Sequence, residues 1–235
     1  SATTEIYTLS LHDALPIYQM KLLLIRHGET HANLANRWSG SKDLDITNLT
    51  DSGREQAIKL GRWFKERRFT PTHVYSSPQQ RAKDTCELAG GHWGLHTNID
   101  ENLRETGAGI FEGLSWEEIE NQHPIEADLF RESRDWAHID GAEQEEDRRE
   151  RGAKVLRVII ANHTNDDTIV MFAHAGIIQQ IVCAILESPR LWGLAAKNTA
   201  LYEFSIDVDN WYETSRTLFN PTAWRIIRFN EQPHL

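Results

Sequence analysis

Two short apolar runs constrain the fold of this chain more than any other feature. Residues 21–26 (KLLLIR) and 168–173 (TIVMFA) have the length of buried strands, and helical periods follow them at residues 50–68 and 176–187. Continuous apolar strands that alternate with helices are typical of a parallel sheet covered on both faces. The sequence therefore predicts an α/β fold, a three-layer α/β/α sandwich with a mostly parallel central sheet.

The remaining segments extend this pattern. Further strands are predicted at residues 73–76, 95–99, 200–206, 211–218 and 224–229, and further helices at residues 81–89, 115–122 and 142–162. Thr50 is an expected N-cap, and Ser115 with Glu118 forms a capping box. Gly90 and Gly91 suit a left-handed helix end. The boundaries of several elements are thus marked in the sequence itself.

The N-terminal segment differs in character from the rest of the chain. Residues 8–17 read TLSLHDALPI, which resembles a translated sequencing-library adapter, and the segment lacks the basic region and long apolar core of a secretory signal. We expect residues 1–19 to be a non-native extension before a start at Met20. Without repeats or a linker further on, residues 20–235 are predicted to form a single domain.

Composition excludes several classes of protein. The formal net charge of −10 argues against a nucleic-acid partner, because a phosphate backbone requires a surplus of Lys and Arg. No apolar run approaches the roughly 20 residues of a membrane helix. Cys86 and Cys183 fall within helical patterns, so no disulfide framework is expected. A soluble, cytoplasmic protein is predicted, either a monomer or a homodimer.

Two histidines come directly after the two apolar runs. His27 comes after residues 21–26, and His174 comes after residues 168–173. Ligands of open α/β sheets bind at the carboxyl ends of strands, so both imidazoles are expected in one crevice. Arg26 lies beside His27, and Arg81 opens a helix after a third strand, where a helix N-terminus attracts anions. The simplest ligand for this arrangement is a phosphate group.

Four motifs now carry a resemblance to a known family. They are LIRHGETHANLANRWSG from residue 24, YSSPQQRAKDT from residue 75, LRETGAGIFEGL from residue 103 and AHAG from residue 173. In this order they resemble the histidine phosphatase superfamily, in its phosphoglycerate mutase-like branch of small-molecule phosphatases. The resemblance covers nearly all of residues 20–206 and implies the fold of that branch.

The resemblance also implies roles for individual residues. His27 matches the nucleophile that becomes phosphohistidine, and Glu105 matches the general acid and base. His174, Arg26 and Arg81 match the groups that bind and stabilise the phosphoryl group, which suits the planar, permanently charged guanidinium.

Further residues at the family's spacing are expected to bind the substrate. They are Thr30, Asn33, Arg37, Gly40 and Ala175. Neither a metal nor another cofactor is required, and the expected partner is a small phosphorylated molecule. The family chemistry thus predicts a phosphomonoesterase.

Three alternatives remain open on the sequence alone. A cofactor-dependent phosphoglycerate mutase is one, because the NLANRWSG segment is mutase-like, although Ala108 and the pair Ser115–Trp116 replace residues that mutases use. A non-catalytic phosphate-binding module is the second. A phosphoprotein phosphatase is the third, since the choice depends on how open the pocket is.

Two further interpretations concern side chains outside the motifs. The charged run over residues 143–151 is interpreted as a solvated helix face, although Gly141 and Glu143 resemble a family element near the pocket. Trp136 fits either the core or a rim over the substrate. Which of these two positions Trp136 occupies depends on the residues that pack against it in the folded protein.

Overall fold

The computed structural model describes residues 18–190, 194–212 and 223–235. Within them the strands are β1 (Met20–Arg26), β2 (His73–Ser76), β3 (Thr97–Ile99), β4 (Thr168–Ala173), β5 (Leu201–Ile206) and β6 (Trp224–Glu231). The helices are α1 (His31–Leu34), α2 (Asp51–Glu66), α3 (Gln80–Gly90), α4 (Trp116–Gln122), α5 (Pro124–Ser133), α6 (Glu145–Asn162) and α7 (Ala175–Ile185).

The six strands form one mixed sheet in the order β3-β2-β4-β1-β5-β6. The neighbours β3, β2, β4 and β1 are parallel, whereas β5 runs antiparallel to β1 and β6 runs antiparallel to β5. Crossover helices join the parallel strands, as a parallel sheet requires. The predicted mostly parallel α/β fold is confirmed.

The side chains of β1 alternate between the two faces of the sheet, and helices cover both faces, which gives the three layers. Leu22 and Leu24 belong to a buried cluster that includes residues of α6 and α7, whereas Leu23 and Ile25 belong to a second cluster that includes residues of α2 and α3. Successive side chains of a strand point to opposite faces, so a continuous apolar run buries both faces of the sheet at once.

Helix caps were partly predicted. Thr50 accepts a hydrogen bond from the Gly53 amide at the start of α2, and Ser115 with Glu118 forms the predicted capping box of α4. The left-handed end predicted at Gly90 and Gly91 is wrong, because neither glycine has a positive φ and the chain continues into a short 3-10 turn. The left-handed residue is Gly94, with φ 65°.

One helix, α5, lies between α4 and α6 and was not predicted from the sequence. Pro124 occupies its first turn, where the missing amide hydrogen costs nothing, and Ala127 and Phe130 are its buried residues. They join an aromatic cluster whose buried members are Ala108, Phe111, Ile119, Ala127, Phe130, Trp136, Ile139 and Ala142. We call this group the aromatic cluster.

Several predicted element boundaries differ from those in the structure, and other predicted segments lie outside the described residues. The strand predicted at 95–99 is only three residues long, and the helix predicted from residue 142 begins at Glu145. Most of the strand predicted at 211–218 lies outside the described residues, as do residues 1–17 of the predicted extension. In the described part of the chain, none of the helices has the length and apolar character to cross a membrane.

Candidate active site

The two histidines meet at the carboxyl ends of β1 and β4. The His27 amide donates to the Ala173 carbonyl at 3.0 Å, which continues the pairing of these strands to their ends. The imidazole centroids of His27 and His174 are 5.1 Å apart, and both residues are at most 1% exposed. The expected convergence of these two side chains is thus present in the fold.

The orientation of His27 determines which nitrogen can react. Its Nδ1 lies 2.7 Å from the Gly28 carbonyl oxygen. Because a carbonyl oxygen only accepts, Nδ1 carries the proton and donates it, which leaves the lone pair on Nε2. Burial, with Arg26 and Arg81 nearby, lowers the pKa of His27 well below its usual 6.5 and keeps the ring neutral. The buried imidazole therefore has the protonation state of a nucleophile.

His174 is held by a serine at the end of β2. Its Nε2 lies 2.8 Å from the Ser77 hydroxyl, while its buried Nδ1 has no hydrogen-bond partner among the described residues. Burial and the charge of Arg81 lower the pKa of His174 well below 6.5. This contact between Ser77 and His174, 97 residues apart in the sequence, could not be inferred from motif spacing.

Two arginines place positive charge beside the histidines. Arg81 is fully buried, and burial lowers its pKa to about 10. Its Nη2 donates to the Gly40 carbonyl at 3.0 Å, but its Nε and Nη1 have no hydrogen-bond partner in the described chain, and the Asp43 carboxylate oxygen is 3.8 Å from Nη1. Arg26 Nη1 donates to the Ala196 carbonyl at 2.5 Å, and its Nε has no partner among the same residues. Unsatisfied buried donors favour binding of an anion.

Glu105 rests on the first turn of α7. Its carboxylate accepts hydrogen bonds from the amides of Gly176 at 3.0 Å and of Thr106 at 2.7 Å. A Cβ on Gly176 would lie 2.4 Å from the Glu105 Oε1, so this close approach requires glycine. Gln79 supports the same loop by accepting from the Glu105 amide at 2.7 Å. The predicted acid therefore lies at a helix N-terminus, close enough to affect both arginines electrostatically.

The predicted substrate-binding residues occupy two kinds of position. Asn33, Arg37, Gly40 and Ala175 line a cavity of about 540 Å³, together with Arg26 and Glu105. Thr30 does not line it. Its side chain is buried and caps α1 by accepting from the Asn33 amide at 3.2 Å. The substrate-binding role of Thr30 stays a prediction, with a helix-capping role beside it.

Two of these residues have structural partners as well. Arg37 makes a bidentate ion pair with Glu118, at 2.5 and 2.6 Å, and also donates to the Gly113 carbonyl. Gly40 has a positive φ of 64°, and a Cβ there would collide with the side chain of Glu112. The loop that contains both residues is therefore fixed before any substrate binds.

Tryptophans and a buried arginine form the outer wall of the cavity. Trp38, Trp116 and Trp136 line it, and Trp136 is also packed in the aromatic cluster, with only 7% exposure. Trp136 is therefore a core residue that also lines the cavity, and its position over the substrate stays a prediction. Arg148 lies over the Trp136 ring at 4.2 Å and donates to the carbonyls of Glu143 and Gly107 at 2.7 and 2.8 Å. Arg148 also lines the cavity.

The interpretation of residues 143–151 as a solvated face is wrong for two of its arginines. Arg148 is only 5% exposed. Arg151 forms a bidentate ion pair with Glu143, at 2.7 and 2.6 Å, and donates to the Arg104 carbonyl. Charge alone does not indicate exposure, because a buried guanidinium group can donate to several carbonyls at once.

Comparison with known proteins agrees with this geometry. The model of the histidine phosphatase superfamily (branch 1) matches residues 22–217. The chain belongs to this family, and the resemblance drawn from its motifs is confirmed.

Relatives and solved structures extend the comparison. Glucosyl-3-phosphoglycerate phosphatase of Mycolicibacterium vanbaalenii is 31% identical over 72% of this chain and 75% of its own length. Metal-independent phosphoserine phosphatase of Arabidopsis thaliana is 29% identical over 83% and 82%. A mutant phosphoserine phosphatase of Entamoeba histolytica, solved in complex with phosphoserine, has 25% identity and a TM-score of 0.71, covering 92% of this chain and 99% of that one. The expectation of a phosphatase is therefore confirmed at the level of the family.

The buried histidines predict a pH dependence of stability. The pKa values of His27 and His174 are below 6.5 in the folded state and near 6.5 in the unfolded chain. Below pH 6.5 the unfolded state therefore binds more protons, so stability falls as the pH drops from 6.5 toward the folded pKa values. We expect the melting temperature to fall over this range, and to fall less steeply in His174→Gln. An equal slope in both proteins would contradict this assignment.

Proposed function

We propose that this protein is a phosphomonoesterase that hydrolyses small phosphorylated metabolites through a phosphohistidine on His27. The observation that carries the proposal is the pairing of a neutral imidazole, whose Nε2 holds the lone pair, with adjacent buried guanidinium groups that have unsatisfied donors. The imidazole divides one difficult displacement into two easier steps, and the guanidinium groups position the phosphoryl group and stabilise its charge in both.

In the first half-reaction the phosphoryl group is transferred to the enzyme. The phosphate binds to Arg26, Arg81 and His174, and the lone pair of His27 Nε2 attacks phosphorus. The P–O ester bond breaks and its electron pair leaves with the alcohol oxygen, which takes the proton of Glu105. The alcohol departs, and a phosphohistidine with a Glu105 carboxylate remains.

Water completes the cycle. The Glu105 carboxylate takes a proton from water as the water oxygen attacks phosphorus. The N–P bond breaks, its electron pair returns to His27 Nε2, and inorganic phosphate leaves. Both half-reactions use the same acid and base, and no metal ion is needed in either.

The cavity suggests the class of substrate. Its wall combines tryptophan faces with Arg37 and Arg148, which suits an organic group that carries both apolar surface and a carboxylate or several hydroxyls. The similar phosphatases are named for glucosyl-3-phosphoglycerate and for phosphoserine, and both of these are phosphorylated acids. We propose a phosphorylated carboxylic acid as substrate, in a cytoplasmic monomer or homodimer with no nucleic-acid or membrane partner.

A substrate panel tests the proposal directly. Protein treated with chelator is incubated with phosphoserine, 3-phosphoglycerate, glucosyl-3-phosphoglycerate and p-nitrophenyl phosphate, and phosphate release is measured. We expect chelator-resistant release that is fastest with a phosphorylated acid. Rapid quenching with ³²P-labelled substrate should trap label that is stable to alkali and labile to acid, as a phosphohistidine is.

The same panel distinguishes the alternatives. Interconversion of 2- and 3-phosphoglycerate after priming with the bisphosphate, without net phosphate release, would identify a mutase. Binding of phosphate without any turnover would identify a non-catalytic module. Release from phosphoproteins but from none of the small esters would identify a phosphoprotein phosphatase.

Arg148 is predicted to bind the organic part of the substrate and not the reacting phosphate. In Arg148→Met we expect KM for the preferred acid to rise by about 10-fold with kcat little changed, because the lost contact is equal in ground and transition states. Arg149→Met is the matched control. Arg149 lies on the same helix and pairs with Glu145, and its side chain is 54% exposed. An unchanged KM in a folded Arg148→Met would contradict the assignment.

A further inference from the structure

Three potential metal ligands meet at the end of the sheet opposite the active site. His73 is the first residue of β2, Asp167 directly precedes β4, and His163 follows the last turn of α6. Because β4 spans six residues at about 3.3 Å each, this group lies roughly 20 Å from His174. None of the three residues contributes to the cavity described above.

The spacing of the ligand atoms is that of a metal site. The Nδ1 atoms of His73 and His163 each lie 3.3 Å from a different oxygen of the Asp167 carboxylate. One candidate atom from each residue lies within 4.8 Å of the others. Two ligands bound to Zn²⁺ at about 2.05 Å with tetrahedral geometry are about 3.3 Å apart. Whichever Asp167 oxygen binds the ion, its distance of 3.3 Å to one imidazole Nδ1 matches the edge of a zinc tetrahedron, and the remaining ligand atom lies within 4.8 Å.

Neighbouring side chains already orient these ligands. The second ring nitrogen of His163, Nε2, lies 2.9 Å from the Tyr75 hydroxyl, the kind of partner that fixes a histidine for coordination through Nδ1. Asp167 accepts from the Thr164 amide and the Thr72 hydroxyl, both at 2.9 Å. These hydrogen bonds hold the carboxylate in place beside the two imidazoles, as partners of a metal ligand do.

The imidazoles differ in exposure in a way that leaves room for a fourth ligand. The His163 side chain is 4% exposed and that of His73 is 42% exposed. The buried ring of His163 contacts Asp167 through Nδ1, and the half-exposed ring of His73 contacts the same carboxylate from the solvent side. Water can reach the cluster from the side of His73.

We propose that His73, His163 and Asp167 form a binding site for one Zn²⁺ ion, with water as the remaining ligand. Two imidazoles and one carboxylate are a donor set that zinc prefers. The ion would join the starts of β2 and β4 to the end of α6, so its effect is on stability and not on phosphoryl transfer.

Untagged protein stripped with chelator and then dialysed tests this proposal. Titration with zinc chloride in a phosphate-free buffer should show one equivalent by calorimetry. It should raise the melting temperature by about 5–10 °C when free zinc is roughly 100-fold above Kd. Cobalt in place of zinc should give the visible absorption of a tetrahedral site. His73→Gln should lose all three signals, because it removes a ligand at a half-exposed position.

Two variants complete the design. His96→Ala is the matched control, since His96 is an exposed histidine just before β3 and outside the cluster. His27→Ala removes the other close histidine pair, and the zinc response should persist in both variants. Absence of one-to-one binding in the wild-type protein would overturn the proposal, as would an undiminished response in His73→Gln or a response that disappears in His27→Ala.

Discussion

Replacement of His27 with alanine is expected to lower kcat for phosphate release by about 10⁴–10⁶-fold, as loss of a covalent nucleophile does in other enzymes. The His27 ring is kept neutral by burial and by the nearby arginines, and the Gly28 carbonyl holds it in the tautomer whose Nε2 has the lone pair. Without it, water must attack the ester directly. Steady-state kinetics on p-nitrophenyl phosphate and on the preferred acid, in chelator, measure the effect.

His31→Ala serves as the control for this substitution. His31 is an exposed histidine at the start of α1, four residues along the same segment, and it should retain full activity. Both variants should keep the wild-type circular dichroism spectrum. A folded His27→Ala that retains more than about 1% of kcat would contradict the covalent mechanism and would require a different nucleophile.

Arg81→Met is expected to reduce kcat by about 10³-fold while leaving the unliganded protein as stable as the wild type or more stable. The guanidinium stabilises charge on the transferring group, which accounts for the kinetic loss. In the free enzyme, however, it is a buried charge with unsatisfied donors, and methionine fills a similar volume without that penalty. The Gly40 carbonyl keeps a donor from Gln79 Nε2, at 3.3 Å.

Thermal melts with and without phosphate separate the two effects. Phosphate should raise the melting temperature of the wild type, because it binds only the folded site, and this rise should vanish in Arg81→Met. Arg54→Met is the control, since Arg54 is a half-exposed arginine that pairs with Asp84 at 3.5 Å. If Arg81→Met were strongly destabilised without phosphate, the guanidinium would be a structural group and the proposed role would be wrong.

The convergence of the two histidines could be predicted because it depends on local features. Each apolar run specifies a buried strand, and the parallel arrangement brings the carboxyl ends of β1 and β4 together. The family resemblance predicts Glu105 as the acid, but the sequence gives no sign that this side chain rests on the α7 N-terminus. That placement depends on Gly176, whose lack of a Cβ matters only once the two loops meet.

Arg148 and α5 could not be predicted because tertiary contacts determine them. Arg148 is buried by the Gly107 carbonyl and the Trp136 ring, which lie outside its own helix. The short helix α5 is stabilised by the packing of Phe130 against Trp136, whose ring centroids are 4.7 Å apart. Periodicity and charge are properties of a single segment. They cannot predict a helix or a buried side chain that is stabilised by contacts with residues far away in the sequence.

The aromatic cluster has a consequence for how enzymes of this kind diversify. In the proposed mechanism His27 and His174 act at the ends of two sheet strands, whereas the tryptophan wall packs in or against a cluster separate from the two that cover the sheet. Mutations in α4 and α5 can therefore change the shape of the tryptophan wall without displacing His27 or His174. On the proposed mechanism, a change of substrate through this wall therefore does not require a change in the positions of His27 and His174.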